Sequence, residues 1–362
     1  MLTRRETLTD AVKAMTGPAL LAPVARWLGV APGRLDGRDQ GTRRVGANDV
    51  ASIERSTRYF AATDAEVGGM LSREAAVGQL KYAVDLAQHA SYSSRVGNRL
   101  LAVIAELSGL VGWLCHDSAM PGPAQRYFTY GLQAARESTD PRAPLLVVSI
   151  LADMSEHMRW LGRPNTALRL HDLAAGQLPA DRRRFNVLRA VLAARRAENG
   201  LCHLGPAGLP EVQSAVHLSF DLHARASDDD RATAGVLWHR DLDVSAAELS
   251  VSAAVAYLTM ARDDPGLASE AERHTLDQLA TVPEGQGRSK LFGQVRLARI
   301  RFVTGEAEQA CDDADQALDR AEQMMSATIR IRLRELLAES ERYAGVPRVV
   351  ELRDRLRVAI AR

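Results

Sequence analysis

Histidine and cysteine are the residues of this chain best suited to metal binding or nucleophilic chemistry. The chain has nine histidines and three cysteines. His217 and His223 lie on different faces of a predicted helix, because they are six residues apart. Cys202 and His203 are adjacent, a spacing that seldom gives one metal two ligands. We therefore predict no metal site and no cofactor.

Acidic, glycine-rich and serine-containing segments also lack the spacing of a catalytic or ion-binding motif. The segment from Ser227 to Asp230, with Asp241 and Asp243 nearby, has neither the glycine nor the terminal glutamate of a calcium loop, so it is predicted to be a solvated turn. No phosphate-binding loop and no G-x-S-x-G sequence occurs. The cysteines occur singly, as is typical of reduced thiols, at positions Cys115, Cys202 and Cys311. The sequence predicts no catalytic residue and a protein that is not an enzyme.

The elements that must position any site are predicted to be helical hairpins. The clearest one runs from Arg296 to Leu318, where Leu297 and Ala298 precede the turn residue Gly305 and three alanines follow at helical spacing, Ala310, Ala314 and Ala317. Small residues where two helices touch, separated by a turn glycine, are typical of a tetratricopeptide (TPR) hairpin. We predict an all-α fold, a TPR-like superhelical solenoid of antiparallel helical hairpins that spans residues 46–362.

Composition and repeat spacing refine this prediction. Hydrophobic residues make up 46% of the chain, charged residues 25% and aromatic residues 5%, and most of the apolar residues are helix-forming alanine and leucine. Ala124 and Ala167 hold equivalent positions in two hairpins but are 43 residues apart. Because a TPR repeat has about 34 residues, the repeat is predicted to be stretched and irregular. Gly112 is predicted to lie where the first helix of a hairpin lets its partner approach.

Residues 1–45 are predicted to form an N-terminal helix followed by a flexible linker rich in Gly, Arg and Asp. Arg4 and Arg5 precede a semi-apolar stretch, which leaves a twin-arginine export signal as an alternative. Arg26 interrupts that stretch, and the residues after the arginine pair fit such a signal poorly. We found no run of eighteen apolar residues and expect a cytoplasmic protein with no membrane span.

The predicted concave groove is the best candidate for a binding site. In a TPR hairpin the first helix lines the concave face, so aligning the hairpins on Ala124, Ala167 and Ala310 selects one set of residues for that face. Aromatic anchors flanked by charges suit a peptide or an amphipathic ligand. The alternative for Trp113 and Phe302 is ordinary packing between hairpins. The predicted groove residues are Glu106, Trp113, His116, Glu156, Arg159, Phe292, Arg299 and Phe302.

Three segments carry a resemblance to a known family. They read GTRRVGANDVASIERSTRYFAATDAEVGG, RVGNRLLAVIAELSGLVGWLCHDSAMPGPAQRYFTYGLQAAR and ILADMSEHMRWLGRPNTALRL. Together they resemble the C-terminal TPR region of actinobacterial, Streptomyces-type helix-turn-helix transcriptional regulators, with the match best over about Arg4 to Ala175. The N-terminal DNA-binding domain of that family has no counterpart here. The resemblance therefore implies a sensory or partner-binding role without direct DNA binding.

Two hypotheses for the function follow. The first is a regulatory TPR protein that binds a peptide, a small molecule or a partner protein in its groove and modulates transcription or development. The second is a scaffold or accessory subunit of a biosynthetic enzyme complex.

The net charge of +1 gives no general attraction to nucleic acid. A homodimer through the C-terminal helices remains an alternative to a simple cap, using Leu336, Leu337, Val349, Val350, Leu352 and Leu356.

Overall fold

The computed structural model describes residues 43–178, 185–237, 245–324 and 326–361. Over these residues the protein is all-α, as predicted, with fifteen α-helices and no β-strand. The helices are α1 (Ala47–Val67), α2 (Arg73–His89), α3 (Ser94–Asp117), α4 (Pro121–Glu137), α5 (Ala143–Trp160), α6 (Pro164–Gln177), α7 (Asn186–Asn199), α8 (Leu209–Ala224), α9 (Asp228–Leu237), α10 (Ala246–Met260), α11 (Ala268–Thr281), α12 (Gly287–Thr304), α13 (Ala307–Ala321), α14 (Ala327–Glu339) and α15 (Pro347–Ala361).

Most helices pack in consecutive pairs, and one helix of each pair forms a continuous row. Each of α1, α3, α5, α7, α10, α12 and α14 contacts the next helix of that series. We call these seven the inner helices. Helix α12 also contacts α1, which lies more than 200 residues earlier in the chain. The row therefore returns on itself, and the inner helices are brought around a shared centre.

Helix α3 is the most deeply buried inner helix, because it is contacted by α1, α2, α4 and α5. All its residues from Leu100 to Asp117 are buried. Because α3 is packed on all sides, it carries apolar residues around its circumference. A helix at the protein surface, by contrast, has a single apolar stripe. Among the described residues α3 is also the one helix long and apolar enough to cross a membrane, with a mean hydropathy of 1.4, although that apolar window is entirely buried inside the protein.

Close packing of α3 and α4 depends on glycine. A Cβ atom at Gly112 would lie 2.6 Å from the ring of Phe128, and one at Gly131 would lie 2.9 Å from the carbonyl oxygen of Ala105. Neither distance is tolerated by real Cβ atoms, so both helices need a residue without a side chain at these crossings. The predicted role of Gly112 agrees with this geometry.

The acidic segment Ser227 to Asp230 was wrongly predicted to be a solvated turn. Asp228 to Asp230 form the first turn of α9, where carboxylates interact favourably with the helix dipole. Asp230 is buried and accepts hydrogen bonds from the backbone N–H groups of Asn186 (2.7 Å) and Val187 (3.2 Å), so it caps the N-terminus of α7. Asp241 and Asp243 lie outside the described residues.

The two ends of the described chain are held by local contacts. The predicted N-terminal helix and most of the predicted linker lie outside the described residues, but residues 43–45 pair with Ser91, and Val45 is buried. At the C-terminus, four residues considered for a dimer contact are buried in a core formed by α12, α13, α14 and α15 of the same chain. These are Leu336, Val349, Leu352 and Leu356.

Replacing Gly112 by alanine tests the close packing of α3 against α4. We expect Gly112→Ala to lower the free energy of unfolding by roughly 1–3 kcal/mol, because the added methyl group overpacks a buried contact. Gly176→Ala is the matched control, since a Cβ atom there meets nothing within 4 Å. The control is expected to leave stability unchanged or to raise it by up to about 1 kcal/mol. Urea unfolding followed by circular dichroism measures both, and equal stability of the two variants would contradict the packing argument.

Candidate functional site

The inner helices surround a cavity of about 260 Å³, which we call the central cavity. All seven inner helices contribute to its wall, so the cavity exists because the row of helices returns on itself. The wall carries a mixture of charged, aromatic and aliphatic side chains. Its arginines are Arg159, Arg195, Arg262, Arg288, Arg296, Arg299 and Arg332, and its carboxylates are Asp64, Glu156, Glu198, Glu248 and Glu335.

Six of the eight predicted groove residues line this cavity, namely Trp113, His116, Glu156, Arg159, Phe292 and Arg299. The other two lie elsewhere. Glu106 is buried on α3 two turns before Trp113, where its charge favours the protonated form of Arg142. Phe302 is buried in the core of α12 to α15, and its ring stacks on Tyr343 with 5.6 Å between ring centroids.

Several cavity residues were missed by the sequence analysis, because only three hairpins were aligned. Asp64 on α1, Arg195 on α7 and Arg332 on α14 belong to helices outside that alignment. Arg288 and Arg296 lie on α12 itself, at positions where the sequence shows only a run of alternating apolar and basic residues. These residues reach the cavity because α12 contacts α1. No local sequence pattern predicts that contact.

Arg299 and Arg159, both predicted as ligand-binding residues, already have partners within the protein. Arg299 donates to both carboxylate oxygens of Glu339 at 2.7 Å and to Glu335 at 2.6 Å. Arg159 donates to Asn199 at 2.8 Å and to Glu198 at 3.2 Å. Two or more hydrogen bonds from one guanidinium fix its orientation, and those to carboxylates are charge-assisted. These two arginines therefore hold inner helices together at the cavity wall.

Trp113 is anchored at the cavity wall by an acidic residue of α1. Its indole N–H donates to Asp64 at 3.1 Å, and the Arg288 guanidinium lies 5.8 Å from its ring. Arg288 donates to both carboxylate oxygens of Asp64 at 3.0 Å. One carboxylate of α1 thus connects α3 with α12, in a region where every participating side chain is buried.

Asp117, at the end of α3, is the centre of a second buried polar cluster beside the cavity. It accepts hydrogen bonds from the Gly69 N–H (3.1 Å), the Ser326 hydroxyl (2.7 Å) and the Thr328 hydroxyl (2.5 Å), and pairs with Arg288 at 2.8 Å. Burial alone would raise the pKa of the Asp117 carboxyl. The Arg288 charge and the two hydroxyl donors outweigh burial and hold that pKa below its usual value.

A buried histidine pair lies next to Trp113. The Nδ1 atoms of His116 and His157 are 3.2 Å apart, so one ring donates and the other accepts. Burial lowers the pKa of His116 to about 4, and burial together with His116 lowers the pKa of His157 to about 3. Both rings are therefore neutral near pH 7. They act there as hydrogen-bonding and packing groups, with no positive charge to offer a ligand.

One part of the cavity wall is apolar. Helix α10 contributes Val251, Val255 and Leu258, and α12 contributes Phe292 and Val295. A cavity with an apolar side and a few polar groups on the other side is the usual form of a small-molecule site. A separate recess of about 520 Å³ lies between α13, α14 and α15, and none of the predicted groove residues lines it.

The cysteines and the acidic residues give little support for catalysis or metal binding. The three cysteines are free and buried, and burial raises the thiol pKa to about 11 for Cys115, about 12 for Cys202 and about 11 for Cys311. Thiols of this kind are poor nucleophiles at neutral pH. Within the described part of the chain, no group of three or more His, Cys, Asp or Glu side chains is arranged to hold a metal ion.

Comparisons with known proteins do not assign this arrangement to a family. The chain matches no protein-family model, no curated protein and no solved structure. The function must therefore be argued from the geometry of the central cavity itself.

Removing the carboxylate of Asp117 tests the role of the buried cluster. We expect Asp117→Asn to lower the free energy of unfolding near pH 7 by about 3–5 kcal/mol, because it leaves Arg288 with one buried partner in place of two. Asp263→Asn is the control, since Asp263 is exposed. Urea unfolding measures both variants, and a cost for Asp117→Asn no larger than for the control would refute the role of the cluster.

The same variant has a distinct pH dependence. Since the folded pKa of Asp117 lies below its usual value near 3.8, its stabilising effect is present above about pH 4 and is lost as the pH falls toward the folded pKa. Buried neutral histidines destabilise both proteins between about pH 6.5 and 4, so that part cancels in the comparison. The stability difference between wild type and Asp117→Asn should therefore shrink only below about pH 4. A difference that is constant down to pH 3 would contradict this assignment.

Proposed function

We propose that this chain is a non-enzymatic regulatory protein with a TPR-like solenoid fold, whose central cavity binds a small molecule or the end of a peptide. In this proposal the protein acts in the cytoplasm, does not bind DNA directly, and modulates transcription or development through a partner protein. The alternation of inner helices with paired helices supports the solenoid description, because hairpin repeats contact mainly their neighbours.

The observation that carries the ligand-binding part is the convergence of all seven inner helices on one cavity with an apolar side and a charged side. Its volume of about 260 Å³ is just below the range of roughly 300–1,000 Å³ typical of ligand pockets. A folded domain or a long peptide does not fit such a space. A small molecule, or one or two residues at a peptide terminus, does.

The cavity is also placed where a ligand could change the shape of the protein. Asp64 and Arg288 line the cavity and join α1 to α12, the contact that returns the row of helices on itself. A ligand that binds more tightly when this contact is formed will increase the population of the closed arrangement. A partner protein that recognises only one arrangement would then respond to the ligand.

Filling the cavity tests the proposal in the native organism. Val255→Phe adds a ring to the apolar wall, and Val350→Phe is the matched control, because Val350 is exposed on α15. If ligand binding regulates transcription, the Val255→Phe strain should show the transcript changes of a deletion strain, whereas the control strain should resemble wild type. RNA sequencing of the four strains, with protein levels checked by immunoblotting, is the measurement.

Two outcomes would count against the proposal. Unchanged transcripts in the deletion strain would refute a regulatory role, and altered levels of one biosynthetic product in that strain would favour the scaffold hypothesis. Wild-type transcripts in the Val255→Phe strain, with the variant present at normal levels, would refute a role for the central cavity.

A further inference from the structure

Two buried nitrogen atoms of residues that line the cavity lack a hydrogen-bond partner, and both are donors. Among the described residues that line the cavity, the buried side-chain atoms without a hydrogen-bond partner are the indole Nε1 of Trp160 and the Nε of Arg288. Each carries a hydrogen, and neither can accept one. A buried donor without a partner costs free energy, so the wall is better matched to a ligand rich in acceptor atoms than to a cation.

Arg296 differs from the other buried arginines of the wall. Its guanidinium donates to the Thr275 hydroxyl at 3.2 Å and to the Gln278 carbonyl oxygen at 3.0 Å, both neutral acceptors. No carboxylate of the described residues forms an ion pair with it, although only 6% of the residue is exposed. Burial, together with the nearby charge of Arg332, lowers the pKa of Arg296 to about 10, so it remains positively charged at pH 7.

Among the described residues, the ion pairs of the cavity wall leave out one arginine. Seven arginines and five carboxylates line the cavity, and three further carboxylates behind the wall, Asp117, Asp153 and Glu339, pair with Arg288, Arg195 and Arg299. Arg299 and Arg159 are paired with carboxylates, whereas Arg296 is not. Glu198 and Glu248 are near enough to raise the pKa of Arg296, but neither forms an ion pair with it. Burying a charge without a direct ion pair is expensive. An anion near Arg296 would compensate that cost directly.

Trp160 and Arg296 are both close to Arg332. The Arg332 guanidinium is 4.6 Å from the centre of the Trp160 ring, and the same guanidinium is close enough to Arg296 to lower its pKa. Arg159 lies 5.4 Å from that ring on α5. Donors of α5, α12 and α14 therefore surround one region, while the valines and leucine of α10 supply an apolar surface.

We propose that the central cavity binds a small organic oxyanion, a carboxylate or phosphomonoester joined to an apolar body. Arg296 and the indole N–H of Trp160 hold the anionic group, and the apolar body packs against Val251, Val255 and Leu258. This inference rests on the proposed ligand-binding function and adds the chemical class of the ligand. Because guanidinium and indole N–H groups bind either oxyanion, the experiment distinguishes the two head groups.

The first test compares matched probes on the full chain. We would measure the binding of 4-phenylbutyrate, phenyl phosphate and the neutral 4-phenyl-1-butanol by isothermal titration calorimetry at pH 7. At least one anion should bind about tenfold or more tightly than the alcohol, since one hydrogen bond to a charged group is worth about that factor. The anion that binds more tightly identifies the preferred head group. Loss of this binding in Val255→Phe, with binding retained in Val350→Phe, places the anion in the central cavity.

The second test removes single donors. Arg296→Gln should weaken anion binding by about tenfold or more and leave alcohol binding unchanged, which is a result that general destabilisation does not produce. Trp160→Phe keeps an aromatic ring and removes only the N–H, so it should weaken anion binding by about threefold or more. Arg334→Gln is the control, because Arg334 is exposed on α14, two residues from Arg332. Circular dichroism verifies folding, and if Arg296→Gln does not fold, Trp160→Phe alone decides.

The outcomes separate this inference from the proposed function. Binding of the alcohol as tightly as of both anions would overturn the oxyanion inference and leave a ligand-binding cavity in place. Absence of binding by all three probes up to about 10 mM would also overturn it, and the Val255→Phe strain would then decide the proposed function. Anion binding that is unaffected in both Arg296→Gln and Trp160→Phe would refute the assigned residues.

Discussion

The arrangement of the described helices depends on two buried carboxylates that share one arginine. Arg288 on α12 contacts Asp64 on α1 and Asp117 at the end of α3, over a sequence separation of 224 residues in the case of Asp64. Closing so long a loop is costly in entropy, although the cost rises only slowly with length. Ion pairs in the interior seldom add much net stability, because the desolvation of both charges offsets their attraction. Their value here is specificity, since a shifted packing of α12 would separate three buried charges from their ion-pair partners.

The central cavity follows from this closure. Without the contact of α1 with α12, the inner helices would form an open row, and Trp113 and Phe292 would lie on separate parts of it. With the contact, residues from both ends of the described chain face one space. Because Asp117 is buried where the row of helices closes, it needs hydrogen-bond donors around it. The hydroxyl groups of Ser326 and Thr328 at the start of α14 complete this shell of donors. A carboxylate that is 0% exposed needs such a shell to remain ionised.

The sequence predicts the local structure well, but it does not predict the contact of α1 with α12 that closes the row of inner helices. Helical periodicity, alanines at helix contacts and the role of Gly112 are encoded within a few turns, so they are accessible without a structure. Glu106 shows the limit of that reasoning. It shares a helix stripe with Trp113, but seven residues along a helix correspond to about 10 Å, which places it beyond the cavity. The position of a residue along the helix, and not only the face it occupies, decides whether it reaches the centre.

Phe302 and Arg296 show that residue type alone does not decide whether a side chain belongs to the site. Phe302 has the residue type of a ligand anchor, yet it packs on Tyr343 in the C-terminal core. Arg296 looks like an ordinary basic residue of an amphipathic helix, yet it is buried with neutral partners. Burial of an arginine cannot be predicted from one sequence, because it depends on which helices close over it. We assign Arg296 to the ligand site because it is a buried cation whose hydrogen-bond partners are both neutral.

Arg288 connects the proposed ligand site with the contact between α1 and α12. Its Nη1 atom contacts Asp64 and its Nη2 atom contacts Asp117, while its buried Nε has no hydrogen-bond partner. In the proposed complex, an anion held by Arg296 and Trp160 would leave both carboxylate contacts of Arg288 in place, and the cavity that holds it depends on the contact of α1 with α12. Binding would then favour the arrangement in which α1 and α12 touch. By reciprocity, any partner that stabilises this arrangement would raise the affinity for the ligand by the same factor.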